Sequence, residues 1–427
     1  MNITTLKYRI RNNQLIKDSF WSLLGNVMAK GLALVTGILV ARFLGKDIYG
    51  EYGIIKNTIM AISVFSTFGL GYTATKYVAE YKNKNPQLIP VFLKYTTKIT
   101  LMFSGVMALM VMMFANYIAN EVLEAPQLNM ALRLLAILIV FNAISITQIG
   151  VLAGFCEFKK LARINTIIGI TTFIVSVSLT YFYKFNGALL SLLIVQILNC
   201  ILNYLVVRKN VDKRLAKKSQ KPILNEILKF STPVALQEAL YATTQWLCTL
   251  LLIKYASFGE LGLYMAAMHW NSVILFIPGI LRNVVLSHLS NLVEDRVKFL
   301  DTVKITILIN LLVTLTLSII VFLFGNDISN FYGISFKGLE KKISIASVIA
   351  IFASISNVYS QVYLSKGYNW PMFYFRLIRD FGVISLFIVF ISFSKVSAEN
   401  LLFSHLILNI AFLMLVSLFY SKYVKFK

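Results

Sequence analysis

Apolar runs of about 20 residues recur along the whole chain, and no long polar stretch separates them. This constrains the fold more than any other feature. A span of the hydrocarbon core needs about 20 apolar residues as a helix, and only helices and closed barrels satisfy every backbone group in lipid. A barrel would show alternating segments of about ten residues, and the sequence lacks them. Charged residues make up 14% of the 427-residue chain, against about 25% in a soluble domain. The expectation is an all-α polytopic membrane protein with about twelve transmembrane helices. The spans fall at about 19–44, 52–74, 96–116, 130–153, 164–183, 187–207, 231–253, 262–282, 302–324, 343–364, 375–393 and 400–420.

The first run follows Lys7, Arg9, Arg11 and Lys17 and has no small-residue cleavage site after it. It reads as an uncleaved span rather than a signal peptide. About 30 Lys and Arg lie on the side holding both tails and alternate connections, and about eight on the other, which places both termini in the cytoplasm. The net charge of +23 is then mostly topology. No connection is long enough to fold into a basic nucleic-acid-binding domain, so no nucleic-acid partner is expected. Cys156, Cys200 and Cys248 are far apart and read as free thiols.

The chain repeats itself. Gln148, Gly154, Arg163 and Gly169 match Gln361, Gly367, Arg376 and Gly382 as Q-x5-G-x8-R-x5-G, at an offset of 213 (361 − 148). Gly50 and Tyr52 match Gly262 and Tyr264 at 212 (262 − 50), and TTKIT at 96–100 matches TVKIT at 302–306. Each half holds six spans, an even number, so the two lobes share orientation and their pseudo-twofold runs along the membrane normal. The expected organisation is an N-terminal lobe over 1–207, a basic cytoplasmic linker over 208–221 and a C-terminal lobe over 222–427.

Lys30 is the most informative charge. It lies 13 residues after Lys17 and 12 before Arg42, roughly 18 Å from either flank at 1.5 Å per residue. A lysine reaches about 6 Å, too little to bring its ammonium to an interface, and a central lysine costs about 2.5–3.5 kcal/mol on insertion scales. Ser22, Asn26 and Lys30 share one helical face, which Ala33 and Gly37 continue. Two readings stay open: a lysine facing a watery cavity and an anion, or one half of an ion pair. Glu238 is the obvious partner, since at offset 212 it corresponds to Asn26. The same register pairs Asn57 with His269. Asn57 alone reads best as a helix–helix hydrogen bond, whereas Glu238 and His269 titrate and are candidates for coupling to H+ or Na+.

Lys56 either lines the same cavity or snorkels to the outer face; Arg282 either meets an anionic head group or follows the positive-inside rule. Arg133 reads as an interfacial anchor, and Trp246 and Trp270 either stack on sugar rings or pack in the core. No nucleotide-binding loop, HExxH or GxSxG motif occurs, and His269, His288 and His405 lack metal-ligand spacing. Neither an enzyme nor a cofactor is expected.

Arg42 to Gly45 (Arg-Phe-Leu-Gly), Gly50 to Tyr52 and Gly69 to Gly71 (Gly-Leu-Gly) stand in the order seen in the Wzx-type polysaccharide flippases. The stretch at 259–290 and the 6+6 spans extend the likeness over essentially the whole chain, which thus resembles the multidrug/oligosaccharidyl-lipid/polysaccharide exporter superfamily. The resemblance implies a MATE-like fold in the bacterial cytoplasmic (inner) membrane. It also implies movement of an undecaprenyl-pyrophosphate-linked oligosaccharide between leaflets, ion coupling, and contact with membrane lipid and other polysaccharide-assembly membrane proteins. Relatives that flip the peptidoglycan precursor carry cavity cations in spans one and two, which Lys30 and Lys56 match as lysines. Substrate contacts are therefore expected at Lys30, Asn26, Lys56, Asn57 and Arg282. Two alternatives compete: a drug or cation antiporter of the same superfamily, and a non-transporting membrane subunit of a glycan synthase complex.

Overall fold

A computed structural model describes the backbone of residues 14–211, 223–279, 285, 289, 295–366, 368–393 and 396–424. Side chains are described from residue 31 onward, except at 72, 83–84, 223–234, 237–238, 364, 369 and 423–424. Every regular element among these residues is helical: α1 (Gln14–Thr67), α2 (Leu70–Lys84), α3 (Ile89–Tyr117), α4 (Asn129–Gly154), α5 (Phe158–Asn210), α6 (Ile223–Tyr255), α7 (Phe258–Ile274), α8 (Arg296–Leu323), α9 (Gly325–Tyr332), α10 (Leu339–Ser365), α11 (Asn369–Phe393) and α12 (Ala398–Phe419).

Two of these are too long to be single spans. At 1.5 Å per residue, the 54 residues of α1 and the 53 of α5 would each run about 80 Å, far beyond a bilayer of about 30 Å. Each is broken once. Gly45 (φ 75°, ψ 166°) divides α1 where the first span is expected to end, and Lys184 (φ 50°, ψ −128°) divides α5 where the fifth is expected to end. A Cβ built on Gly187 would strike the carbonyl of Leu179, eight residues earlier, and the Cβ of Tyr183. That approach requires the chain to reverse at Lys184.

Among the boundaries that differ from the sequence reading, two have a local cause. The second span was expected to run to 74, but helix stops at Thr67. Phe68 (φ 47°) and Gly69 (φ 64°) are left-handed, a conformation glycine tolerates and phenylalanine adopts at a cost of about 1–2 kcal/mol. The eighth span was expected over 262–282, but α7 begins at Phe258 and its regular helix ends at Ile274, four residues before Pro278, which has no N–H to give that turn.

The described residues form two compact units, one of residues 1–36 and 55–243, the other of 37–54 and 244–427. In the first, α4 is the central helix, packed on α2, α3 and α5; in the second, α10 holds the equivalent place against α7, α8 and α12, with α11 on α12. The repeat glutamines, Gln148 and Gln361, lie on these two central helices. The TTKIT/TVKIT echo also has a packing reason. Thr96, Thr100 and Ser104 form a buried i, i+4 stripe on α3, with Thr100 Oγ1 3.1 Å from Thr147 Oγ1 of α4. Thr306, Asn310, Thr314 and Ser318 form its counterpart on α8, with Thr314 Oγ1 3.3 Å from Ser354 Oγ of α10. Small hydroxyl side chains let membrane helices approach and bond across the seam.

Six described segments, Pro86–Val122, Pro126–Gly154, Phe158–Asn210, Arg296–Leu323, Leu339–Tyr363 and Ala398–Lys422, are long and apolar enough to cross a membrane. Their outer faces carry large exposed apolar residues such as Leu109, Met113, Phe182, Leu312 and Leu418. A soluble surface of that kind would be a liability, whereas lipid is its natural solvent.

Candidate functional site

The polar stripe of the first span is helical. Residues 14–44 of α1 carry Ser22, Asn26 and Lys30 on one face, with Ala33 and Gly37 continuing it. The side chains of Asn26 and Lys30 lie outside the described residues, as does that of Glu238 on α6. Gly31, beside Lys30, is exposed, and a Cβ there would meet no atom of the described residues within 4 Å.

Within the second unit, His269 of α7 packs against Gly37. A Cβ built on Gly37 would stand 2.6 Å from His269 Nδ1 and closer still to Cε1, so the imidazole is seated in the notch the glycine leaves. Lys56 and Asn57, on residues 46–67 of α1, are half-buried in the first unit. Arg282 lies outside the described residues.

The Gly-x-Tyr echo is a mutual close approach. A Cβ on Gly50 would overlap the carbonyl oxygen of Phe258, and one on Gly262 would overlap that of Lys46. Tyr264, the echo's second member, is buried with its hydroxyl 3.2 Å from His405 Nε2. The Gly69–Gly71 motif does two jobs: Gly69 breaks the helix, and Gly71 brings α2 against α4. A Cβ on Gly150 would overlap Gly71 O, and Thr75 Oγ1 bonds Gly150 O at 3.1 Å.

Sequence reading missed one buried charge pair. Asp380 of α11 is 4% exposed, and its Oδ1 accepts from Nε and Nη2 of Arg379 at 2.7 Å each. The Arg379 guanidinium also lies 4.9 Å over the ring of Phe412. The signal was present as the dipeptide Arg379-Asp380 inside the eleventh span. At the end of α10, beyond its span, the Lys366 ammonium lies 4.8 Å over Phe299. Partial burial first, and Arg296 second, push its pKa down. Among the described residues no three His, Cys, Asp or Glu side chains gather as a metal site.

The sequence pattern of the polysaccharide biosynthesis protein family matches residues 15–277. The chain belongs to that family. No curated protein matches it. Among solved structures, a multidrug resistance MATE family transporter of the MOP superfamily in an inward-facing conformation superposes with TM-score 0.75 at 13% identity, covering 94% of this chain and 98% of that one. The lipid II flippase MurJ in an inward closed conformation gives 0.75 at 16% identity, covering 95% and 87%. An outward-facing MATE family transporter gives 0.68 at 14% identity, covering 95% and 94%. This member of the polysaccharide biosynthesis family thus has the MATE/MurJ fold, as the resemblance implied.

Proposed function

We propose that this chain is a flippase. It moves an undecaprenyl-pyrophosphate-linked oligosaccharide across the bacterial cytoplasmic membrane by alternating access of two six-helix lobes, 1–207 and 222–427, joined by the basic linker 208–221. Both termini are cytoplasmic in this reading. What carries it is Lys30, which the sequence places at mid-depth of the first span, on the helical face of Ser22 and Asn26. A lysine beyond snorkelling reach needs an anion or a partner, and the pyrophosphate is the anion a polysaccharide-assembly protein would meet. Asn26, Lys56, Asn57 and Arg282 would complete the polar wall, while the polyprenyl tail stays in lipid. Glu238 and His269 are the candidates for coupling to H+ or Na+.

Family membership supports a role in polysaccharide assembly, and a lipid II flippase shares the fold. The competing reading, an organic-cation antiporter, would want uncompensated acid in the cavity. The buried Asp380 is already neutralised by Arg379. A non-transporting synthase subunit would not need Lys30 to face water. The test is surface glycan in cells carrying Lys30 variants at matched protein level. Lys30→Ala and Lys30→Glu abolish it and Lys30→Arg keeps part of it; normal export by Lys30→Ala overturns the reading.

A further inference from the structure

At the end of α10 opposite Lys366, a groove lies between the close of α8, the short helix α9 and the first turns of α10. Phe322, Gly325 and Asn326 wall one side, and Glu340, Lys341 and Ser344 the other. Its volume, about 220 Å³, is that of roughly seven waters at about 30 Å³ each.

The groove holds one acid and one base that the fold does not use. Glu340 is half-buried and Lys341 exposed, and among the described residues neither enters an ion pair. They do not pair with each other, since successive helix positions do not face each other. The next lysine is the contrast: Lys342 is buried and reaches Glu399 at 3.2 Å. Gly325 keeps α9 close to the acid, because a Cβ there would stand 3.7 Å from the Cβ of Glu340. Ser344, one turn on, donates its hydroxyl to the Glu340 carbonyl at 2.9 Å, so it offers only lone pairs to the groove.

An apolar track leads into the groove. Leu308, Leu312, Leu315, Ile319 and Phe322 are all exposed, and their spacing of three or four residues sets them on one face of α8. Phe322, the last of them, is 68% exposed and forms part of the wall. A molecule lying on the track with its end in the groove has alkyl chains and a small polar head. That head meets a cation and an anion side by side. A phosphate beside Lys341 and an ammonium donating to Glu340 and Ser344 satisfies both. A head without an amine would set its phosphate against Glu340, and a quaternary ammonium has no N–H to donate.

We propose that this groove binds one amine-bearing zwitterionic phospholipid, phosphatidylethanolamine in type, whose head bridges α9 and α10. The leaflet, the outer one, rests on the orientation proposed above. The site itself rests on α8, α9 and α10 and not on the identity of the lipid-linked substrate.

The test is lipid retention by the purified full-length protein, read by native mass spectrometry. The protein is first equilibrated with equal amounts of phosphatidylethanolamine, phosphatidylglycerol and phosphatidylcholine of the same acyl chains. Wild type keeps phosphatidylethanolamine over the other two by about threefold to fivefold, what one exposed ion pair supplies. Glu340→Gln removes the preference, and Glu340→Lys reverses it toward phosphatidylglycerol. Lys341→Gln weakens retention of all three lipids, whose phosphate is common. Asp327→Asn, at an exposed acid in the first turn of α9 that does not line the groove, keeps the wild-type preference. Glycerophosphoethanolamine, the head without its chains, does not displace the lipid. Equal retention of the three lipids by wild type overturns the proposal. So does an equal loss of preference in Asp327→Asn and Glu340→Gln, which means general surface charge. Displacement by the soluble head or by a soluble oligosaccharide overturns it too, since the alkyl track is then not part of the site. None of these results changes the Lys30 export phenotype, so the flippase reading stands or falls separately.

Discussion

Gly50 and Gly262 face each other backbone to backbone: a Cβ on Gly262 would stand 3.3 Å from the amide nitrogen of Gly50 and overlap the carbonyl of Lys46. The reciprocal clash is between Gly50 and the carbonyl of Phe258. Since 262 − 50 and 258 − 46 both equal 212, the contact maps onto itself under the repeat. The Gly-x-Tyr echo is thus a steric requirement. Gly50→Ala or Gly262→Ala must push backbone apart, with no flexible side chain to yield. The expected cost is about 1–3 kcal/mol or more, read as a lowered unfolding midpoint of the purified protein and reduced surface glycan. Gly31→Ala is the control: its Cβ meets nothing among the described residues within 4 Å, and alanine favours the helix by up to about 1 kcal/mol.

The seat of His269 on Gly37 predicts a suppressor. Gly37→Ala alone drives a Cβ into the imidazole, which stands 2.6 Å away at Nδ1. His269→Ala removes the obstacle. The double variant should be more stable than the sum of the two single effects allows, by about 0.5–3 kcal/mol in a double-mutant cycle. Additive effects would mean that the ring does not occupy the notch.

Arg379 and Asp380 predict an asymmetry. Asp380→Asn leaves a guanidinium of 20% exposure without its carboxylate, and breaking a buried pair from one side costs about 3–5 kcal/mol. Replacing both, with Arg379→Met and Asp380→Asn, costs less than the single change, because no charge is then stranded. Chemical or thermal unfolding of the three variants measures this, and equal losses in single and double variants would argue that Arg379 is held by something else.

Much of the fold was legible because the membrane imposes a coarse rule. Apolar length gave the spans, and the offset between Gln148 and Gln361 exposed the repeat that α4 and α10 now embody. Local geometry was less legible. Phe68 takes a left-handed conformation that nothing in its residue type announces, so the break of the second span was hidden. Buried polar groups were hidden for another reason. Asn310 reads as a lone amide in an apolar run, and only packing shows that it shares a cavity with Gln361, 51 positions later. Lys30 was the opposite case, since depth alone made its charge conspicuous.

The central claim is that Lys30 serves the passage of an anionic lipid-linked glycan. The most direct measurement is translocation of a fluorescent undecaprenyl-pyrophosphate-linked oligosaccharide in proteoliposomes holding the purified chain. Transfer between leaflets is read by accessibility of the glycan to a membrane-impermeant quencher. The account predicts transfer by wild type, residual transfer by Lys30→Arg and none by Lys30→Ala, with all three proteins reconstituted equally. Transfer by Lys30→Ala at the wild-type rate, or none by wild type, would contradict it.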